Sequence, residues 1–154
     1  MSIYDVFSGG SKPFDKEQWA AQKQAQRKEA YELIDNTCSE MMSSGDSFRQ
    51  YLDVQGRFDR YSVNNAILVS AQMPEATQLK EKAAWKQSRV YVNKDAQKVV
   101  ILEPSKEYTR GDGSKAVGYN AKEVYDISET SAKDRQEAQE KKSMRELVSA
   151  LIDA

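Results

Sequence analysis

The chain has 154 residues, of which 39% are hydrophobic and 31% charged, with a net charge of -1 and a mean hydropathy of -0.79. These values predict one folded domain with highly charged helices or tails, and they exclude two full domains with separate cores. Neither an apolar run long enough to span a bilayer nor a basic-then-apolar leader is present, so we expect a cytoplasmic protein without membrane contact.

The first half of the chain is predicted to be helical after a flexible N-terminal segment, residues 1–14. The first helix begins at Asp15, whose side chain can cap the first turn, and it carries an apolar stripe at three- and four-residue spacing. A second, short helix is predicted to open at Asp46 and to stop near Gly56. A third covers residues 62–71. Together they predict a helical layer.

The periodicity changes after Pro74. A short helix is predicted over 81–87, and β-branched and apolar runs predict strands at 78–79, 89–92, 99–102, 108–109, 116–117 and 123–127. The Gly-Asp-Gly run at 111–113 is typical of a hairpin turn. We therefore predict an α+β fold, with about three N-terminal helices on one face of an antiparallel sheet of about five strands and a C-terminal helix.

The domain is predicted to cover 15–130, and the remainder, 131–154, to be a polar linker followed by an amphipathic helix. The apolar residues of that helix recur at helical spacing: Met144, Leu147, Val148, Leu151 and Ile152. This stripe can dock on the domain or on a protein partner.

Two residue types restrict the chemistry. Histidine is absent, which removes the commonest general base and the commonest zinc ligand. Cys38 is the only cysteine, and its place in an apolar stripe predicts a buried, unreactive thiol. We therefore expect no metal, no cofactor and no catalytic residue.

Charge is distributed unevenly along the chain. Residues 1–77 hold 8 Lys/Arg and 11 Asp/Glu, residues 78–122 hold 10 and 5, and residues 123–154 hold 5 and 8. A basic middle segment, 78–122, between acidic ends is the pattern expected when one face meets phosphate.

Five short motifs in the middle of the chain carry a family resemblance. They are Tyr-Ser-Val-Asn-Asn-Ala-Ile-Leu at 61–68, Gln-Met-Pro-Glu-Ala-Thr at 72–77, Trp-Lys followed by Arg-Val-Tyr-Val within 85–92, Ile-Leu-Glu-Pro at 101–104 and Val-Tyr-Asp-Ile-Ser-Glu-Thr at 124–130. In this order they resemble the N-terminal domain of ArdC-type antirestriction proteins. The resemblance covers roughly the central half of the chain in detail.

That family's N-terminal domain is described as a single-stranded DNA-binding module, often joined to a zinc metallopeptidase domain. The resemblance implies non-catalytic binding of single-stranded DNA without strong sequence preference. It also implies a role in a mobile element, such as antirestriction during plasmid conjugation, where entering DNA needs protection. The peptidase half needs a His-Glu-x-x-His helix, which this sequence does not contain. One departure is the turn at 93–98, which lacks the family's two glycines and part of its positive charge.

Basic and aromatic side chains alternate through the basic middle segment, as in proteins that stack unpaired bases and neutralise phosphates. The predicted phosphate contacts are Lys86, Arg89, Lys94, Lys98 and Arg110, and the predicted stacking residues are Tyr91, Tyr108 and Trp85. Trp85 has a second interpretation, because a tryptophan in a short helix more often anchors that helix to the core. Asn64 and Asn65 can likewise contact nucleic acid or satisfy backbone groups.

Two other classes of function remain open. The main alternative is a protein-protein interaction module that uses the C-terminal apolar helix, with the sheet as its scaffold. An enzyme is disfavoured, because the sequence shows no nucleophile paired with a base and no set of metal ligands.

Overall fold

The computed structural model describes residues 13–153, with the side chains of all but 136–140, so most of the predicted N-terminal segment lies outside it. Within this range the helices are α1 (Lys16–Ser43), α2 (Gly45–Arg57), α3 (Val63–Gln72), α4 (Lys82–Gln87), a 3-10 helix (Ile127–Glu129) and α5 (Lys133–Ile152), and the strands are β1 (Leu79–Lys80), β2 (Lys98–Thr109) and β3 (Lys115–Asp126). The α+β class is confirmed. The predicted sheet of about five strands is wrong, because the described sheet has three antiparallel strands in the order β1-β3-β2.

Each of the first three helices begins after a side-chain cap. The Asp15 carboxylate accepts two backbone N–H groups of the first turn of α1, as predicted. Ser62 caps α3 in the same way. The predicted start of α2 at Asp46 is wrong, because the Ser44 hydroxyl accepts the free N–H of Ser47 and the helix begins at Gly45.

The strands predicted at 99–102, 108–109, 116–117 and 123–127 form two long strands in the structure, β2 and β3. Strand β2 continues through Pro104 and has a bulge between Pro104 and Glu107. Strand β3 runs from the turn to Asp126. Pro104 follows Val100 and Leu102 at two-residue spacing, and the N–H groups of those residues point away from β3. The N–H that proline lacks would therefore face the outer edge, so no ladder bond is lost. Proline does not end this strand.

The predicted strand at 89–92 is reduced to a single bridge, between Val92 and Thr130. The segment is held instead by two backbone hydrogen bonds to residues that follow β3. The Asn93 N–H donates to the Glu129 carbonyl at 2.8 Å, and the Ser131 N–H donates to the Tyr91 carbonyl at 2.9 Å. A pairing this short does not extend the sheet.

Helices cover both faces of the inner part of the β2–β3 hairpin, residues 98–102 and 121–126, so the expectation of helices on one face is also wrong. Val99, Ile101 and Val124 pack with residues of α2 and α3, including Val54 and Val69. Val100 and Leu102 point to the opposite face and pack with Ala30 and Ile34 of α1 and with Ile67 and Leu68 of α3. We call the second surface the α1 face. Cys38 is half-buried at its margin.

Helix α3 closes the outer edge of β2 with two side-chain amides. Asn65 donates to the Leu102 carbonyl and accepts the Leu102 N–H, both at 2.8 Å. Gln72 makes the same pair of bonds with Val100, at 2.8 and 2.9 Å. The backbone interpretation of Asn65 is therefore correct. These four bonds satisfy an edge that lacks a neighbouring strand.

A third cluster lies where β1, β3 and α4 meet. Trp85 packs with Val90 and Ala132, and its indole N–H donates to the Tyr125 carbonyl at 2.9 Å. Beside it the buried Asp126 carboxylate accepts the N–H groups of Thr77 and Gln78 and both donors of Ser128. Burial raises the pKa of Asp126, but these hydrogen bonds outweigh burial and hold it below its ordinary value.

Helix α5 follows this cluster directly. The polar run expected to be a linker is helical from Lys133 onward. Ala132, just before the helix, is buried against Trp85, whereas the described side chains of the helix itself are exposed. The helix is therefore attached to the domain at its start.

Candidate nucleic-acid interface

Strand register decides which cations of the basic middle segment keep a free charge. Three of them form ion pairs: Lys98 with Glu123, Lys115 with Glu107, and Lys122 with both Glu81 and Glu103. Among the side chains that the structure describes, the other cations of the segment make no ion pair. Three of those, Lys80, Lys82 and Lys106, were not predicted as contacts, and Lys80 lies over the Trp85 ring, 4.8 Å from its centroid.

Among the predicted phosphate contacts, Lys98 is the one that forms an ion pair in the described structure. Its ammonium lies 2.8 Å from the Glu123 carboxylate, which also accepts a hydrogen bond from Gln26 of α1. The Glu123 hydrogen bond raises the pKa of Lys98, and the same bond lowers the pKa of Glu123. Lys98 therefore stays charged, but its charge is largely compensated by its partner.

The predicted residues Lys86, Arg89, Tyr91 and Lys94 lie together in one short stretch after Trp85, which we call the Tyr91 cluster. All four side chains are exposed, and the Tyr91 ring is 59% exposed. The Tyr91 backbone is fixed on both sides, because its N–H donates to the Ser131 hydroxyl at 3.0 Å and its carbonyl accepts the Ser131 N–H. The neighbours Val90 and Val92 pack inward. The ring is thus presented on a fixed main chain between free cations.

Arg89 occupies a backbone position that favours glycine. Its φ is 57°, the only positive φ at a non-glycine residue among 13–153. It follows the end of α4 in a Schellman turn, in which the N–H of Arg89 donates to the Lys86 carbonyl and the N–H of Val90 donates to the Trp85 carbonyl. The turn directs the chain out of α4 into the Tyr91 cluster, and its strained residue is an arginine rather than a glycine.

Trp85 cannot act as a stacking residue in this structure. It is 3% exposed, and its one polar atom is already bonded to Tyr125. Its burial agrees with the second interpretation of Trp85, in which it anchors α4 to the core. The predicted stacking role of Trp85 is therefore not carried further.

Tyr108 and Arg110 lie far from the Tyr91 cluster. Residues 103–120, the outer part of the hairpin that we call the arm, contain no buried residue. At about 3.3 Å per residue, β2 separates Lys98 from Arg110 by about 35 to 40 Å. Tyr108 lies against Gly118, where a Cβ would come within 3.8 Å of its ring. The predicted site residues therefore occupy two separate places.

The structure brings together a further aromatic–cation group that the sequence analysis did not single out. Trp19, Lys23 and Arg27 follow each other at four-residue spacing on α1 and line a groove against the hairpin. The spacing itself was visible in the sequence, but the position of α1 across the sheet was not.

The C-terminal stripe is the largest group of exposed apolar side chains in the described part of the chain. Met144, Leu147, Val148, Leu151 and Ile152 are between 47% and 75% exposed. The prediction that they share one amphipathic helix agrees with α5. In the described residues nothing covers them.

No group of three or more metal-binding side chains occurs among the residues that the structure describes. None of the described helices is both long and apolar enough to cross a bilayer. Comparisons with protein-family models, with curated proteins and with solved structures gave no match to this chain.

Proposed function

We propose that this protein binds single-stranded nucleic acid, without catalysis and without strong sequence preference. The observation that supports this most directly is the Tyr91 cluster, a 59% exposed ring on a fixed backbone, with free cations on either side of it in the chain. An unpaired base offers a face that stacks on such a ring, worth about 1 to 3 kcal/mol per base, and its phosphates attract the cations. A fixed backbone lowers the entropy lost when the ring is engaged.

The ligand and the setting come from the resemblance to ArdC-type N-terminal domains. They are single-stranded DNA that enters a cell during conjugation of a mobile element, and a cytoplasmic role in its protection. The arm, with Tyr108 and Arg110, supplies a second contact, which suits a ligand long enough to span both places. Of the predicted residues, Lys86, Arg89, Lys94 and Arg110 are proposed to contact phosphates, and Tyr91 and Tyr108 to stack bases. Lys98 contributes less because Glu123 compensates its charge.

Fluorescence anisotropy of labelled oligonucleotides tests the proposal. We expect the wild-type protein to bind a poly-dT strand more tightly than a duplex, and to lose affinity steeply as salt rises. Tyr91→Ala is expected to weaken binding by about 5- to 100-fold, which corresponds to one lost base stack. Replacing Lys86 and Lys94 with Gln removes two phosphate contacts and reduces the slope of log K against log salt by about 1.4.

Matched controls lie outside the cluster. Tyr31→Ala removes another exposed tyrosine, and the Arg49→Gln, Arg60→Gln pair removes two exposed cations that, like Lys86 and Lys94, form no ion pair with the side chains that the structure describes. These variants should bind as the wild type does. Equal binding by the cluster variants and the controls would contradict the proposed site, and absence of wild-type binding at low salt would contradict the function.

A second candidate function is a protein-protein interaction through α5. The exposed stripe of five apolar side chains favours it, because apolar surface on this scale is typical of an interaction site. With the protein itself as the probe, light scattering should show a mass that rises with concentration and persists at high salt, since apolar association is not screened.

The variant that tests this candidate replaces Met144, Leu147 and Leu151 with Gln. It should remain monomeric and should leave oligonucleotide binding unchanged. Truncation after Thr130 is a poorer test, because Ser131 fixes Tyr91 and Ala132 packs on Trp85. A wild-type protein that stays monomeric at all concentrations would exclude self-association through α5.

A further inference from the structure

A groove runs between the first turns of α1 and the hairpin, on the side of α1 that faces the arm. Its walls include Trp19, Lys23 and Arg27 from α1 and Glu103, Asn120 and Ala121 from the hairpin, and its volume is about 550 Å³. That volume falls within the range of about 300 to 1,000 Å³ typical of small-ligand sites. We call it the Trp19 groove.

The α1 wall combines an aromatic ring with two cations. Trp19 is 50% exposed, although it is one of the largest apolar side chains in the protein. Lys23 and Arg27 are half-buried, and neither forms an ion pair with any side chain that the structure describes. The charge of Lys23 adds to the Lys98 hydrogen bond that lowers the pKa of Glu123. Because all three share one stripe of the helix, the ring and both charges face the same space. This is the residue set that stacks a base and neutralises the phosphates beside it.

The hairpin wall is compatible with an anionic, planar ligand. Glu103 and Asn120 are paired in the ladder and alternate with Leu102 and Ala121, so their side chains point to the face opposite α1. The Glu103 carboxylate lies on that opposite face, 3.0 Å from the Lys122 ammonium, and does not repel an anion in the groove. Ala121 is the hairpin side chain that faces α1 here, and it is small, apolar and 6% exposed.

The groove also continues onto the arm. Ala121 and Tyr119 are two residues apart on β3, so they lie on the same α1 face about 7 Å from each other along the strand. The Tyr119 ring is 45% exposed. A strand that leaves the groove toward the tip therefore meets a second aromatic surface.

We propose that the Trp19 groove binds one unpaired nucleobase, stacked on Trp19, with Lys23 and Arg27 at the flanking phosphates. This inference rests on the proposed function and extends it by assigning a base-binding site that lies outside the Tyr91 cluster. It places the nucleic acid on the α1 face and leads it from α1 along the arm.

Tryptophan fluorescence tests the groove directly, because the chain has two tryptophans and only Trp19 is exposed. Titration with a poly-dT oligonucleotide at low salt should quench the solvent-exposed emission and leave the buried Trp85 emission unchanged. The quenching should be lost in Trp19→Phe. Affinity measured by anisotropy should fall about 5- to 100-fold in Trp19→Ala, but not in Tyr31→Ala on the same helix.

The contribution of the two cations to binding is tested by comparing two double variants. The Lys23→Gln, Arg27→Gln variant should reduce the slope of log K against log salt by about 1.4, whereas the Arg49→Gln, Arg60→Gln variant should not change it. Wild-type binding without Trp19 quenching, with Trp19→Ala and Lys23→Gln, Arg27→Gln binding as the wild type does, would overturn the groove and leave the Tyr91 cluster as the site. Failure of the wild-type protein to bind any oligonucleotide would overturn the proposed function and the groove together.

Discussion

The inner part of the β2–β3 hairpin and its arm belong to one antiparallel ladder but lie in different environments. In the inner part both faces are covered by helices, and Val99 and Val124 are almost completely buried. In the arm no residue is buried, and aromatic rings point to solvent on both faces. The difference shows that the ladder hydrogen bonds continue through both parts, whereas side-chain packing stabilises only the inner part. Arm side chains are therefore free to serve contacts outside the protein.

The largest expected effect compares one substitution in the two environments. Val99→Ala removes two methyl groups from a fully buried site and should lower the free energy of unfolding by about 2 to 3 kcal/mol. Val117→Ala, in the arm, should change it by less than about 0.5 kcal/mol. Urea denaturation followed by circular dichroism measures both. Equal losses at the two valines would show that the arm packs against something in solution.

The outer edge of the inner part can be opened from α3. Asn65→Ala removes both hydrogen bonds to Leu102 and leaves a buried strand N–H and carbonyl without partners, which should cost about 2 kcal/mol. Asn64→Ala, at the exposed neighbouring position, should cost less than about 0.5 kcal/mol. Hydrogen exchange of the Leu102 amide should accelerate in the first variant only. Protection of that amide in Asn65→Ala would argue that another group replaces the side chain.

The inner end of β3 should depend on pH through Asp126. Its pKa is lower in the folded protein, so the unfolded chain binds the proton more tightly and stability is lost as pH falls from about 4 through the folded value. Asp126→Asn should lose about 1 to 2 kcal/mol at neutral pH, and the difference from wild type should narrow in acid. Urea titrations across this range check the sign. A difference that stays constant with pH would exclude the carboxylate charge as its cause.

The smallest expected effect is an increase in stability, at the exposed Arg89, whose backbone conformation is strained. Arg89→Gly should raise the free energy of unfolding by about 1 kcal/mol, because glycine adopts positive φ without steric strain. Ser88→Gly, whose φ is -84°, should be neutral or slightly destabilising. The Arg89→Gly variant should nevertheless bind oligonucleotide more weakly, so stability and binding move in opposite directions. Weaker stability in Arg89→Gly would mean that the arginine side chain supports the fold.

Local chemistry was enough to predict the helical part of the fold. The Asp15 cap, the limits of α3 and the short helix around Trp85 each depend on neighbouring residues, and the structure agrees with them to within one or two positions. The strand count failed because 99–102 and 108–109 belong to one strand that continues through Pro104, 116–117 and 123–127 belong to another, and 89–92 makes a single bridge. Whether a proline interrupts a ladder depends on which edge its missing N–H faces, which the sequence alone does not reveal.

The candidate site was predictable only where its residues are close in sequence. Lys86, Arg89, Tyr91 and Lys94 fall within one short segment, and all four side chains are exposed. The compensation of Lys98 by Glu123 depends on strand register, and the Trp19 groove depends on where α1 crosses the sheet. Both are long-range properties, so residue spacing could not distinguish a free charge from a paired one.

The two amides of α3 that bond β2 also determine where another β-strand could add to this protein. Asn65 and Gln72 occupy the outward backbone groups of Leu102 and Val100, so an extended peptide cannot dock along the inner edge of β2 without displacing them. Along the arm, the described residues place no such amides on that edge. Templated pairing along β2 with a second polypeptide, including the pairing that starts aggregation, is thereby restricted to its outer part, where the bulge beside Pro104 interrupts a regular ladder.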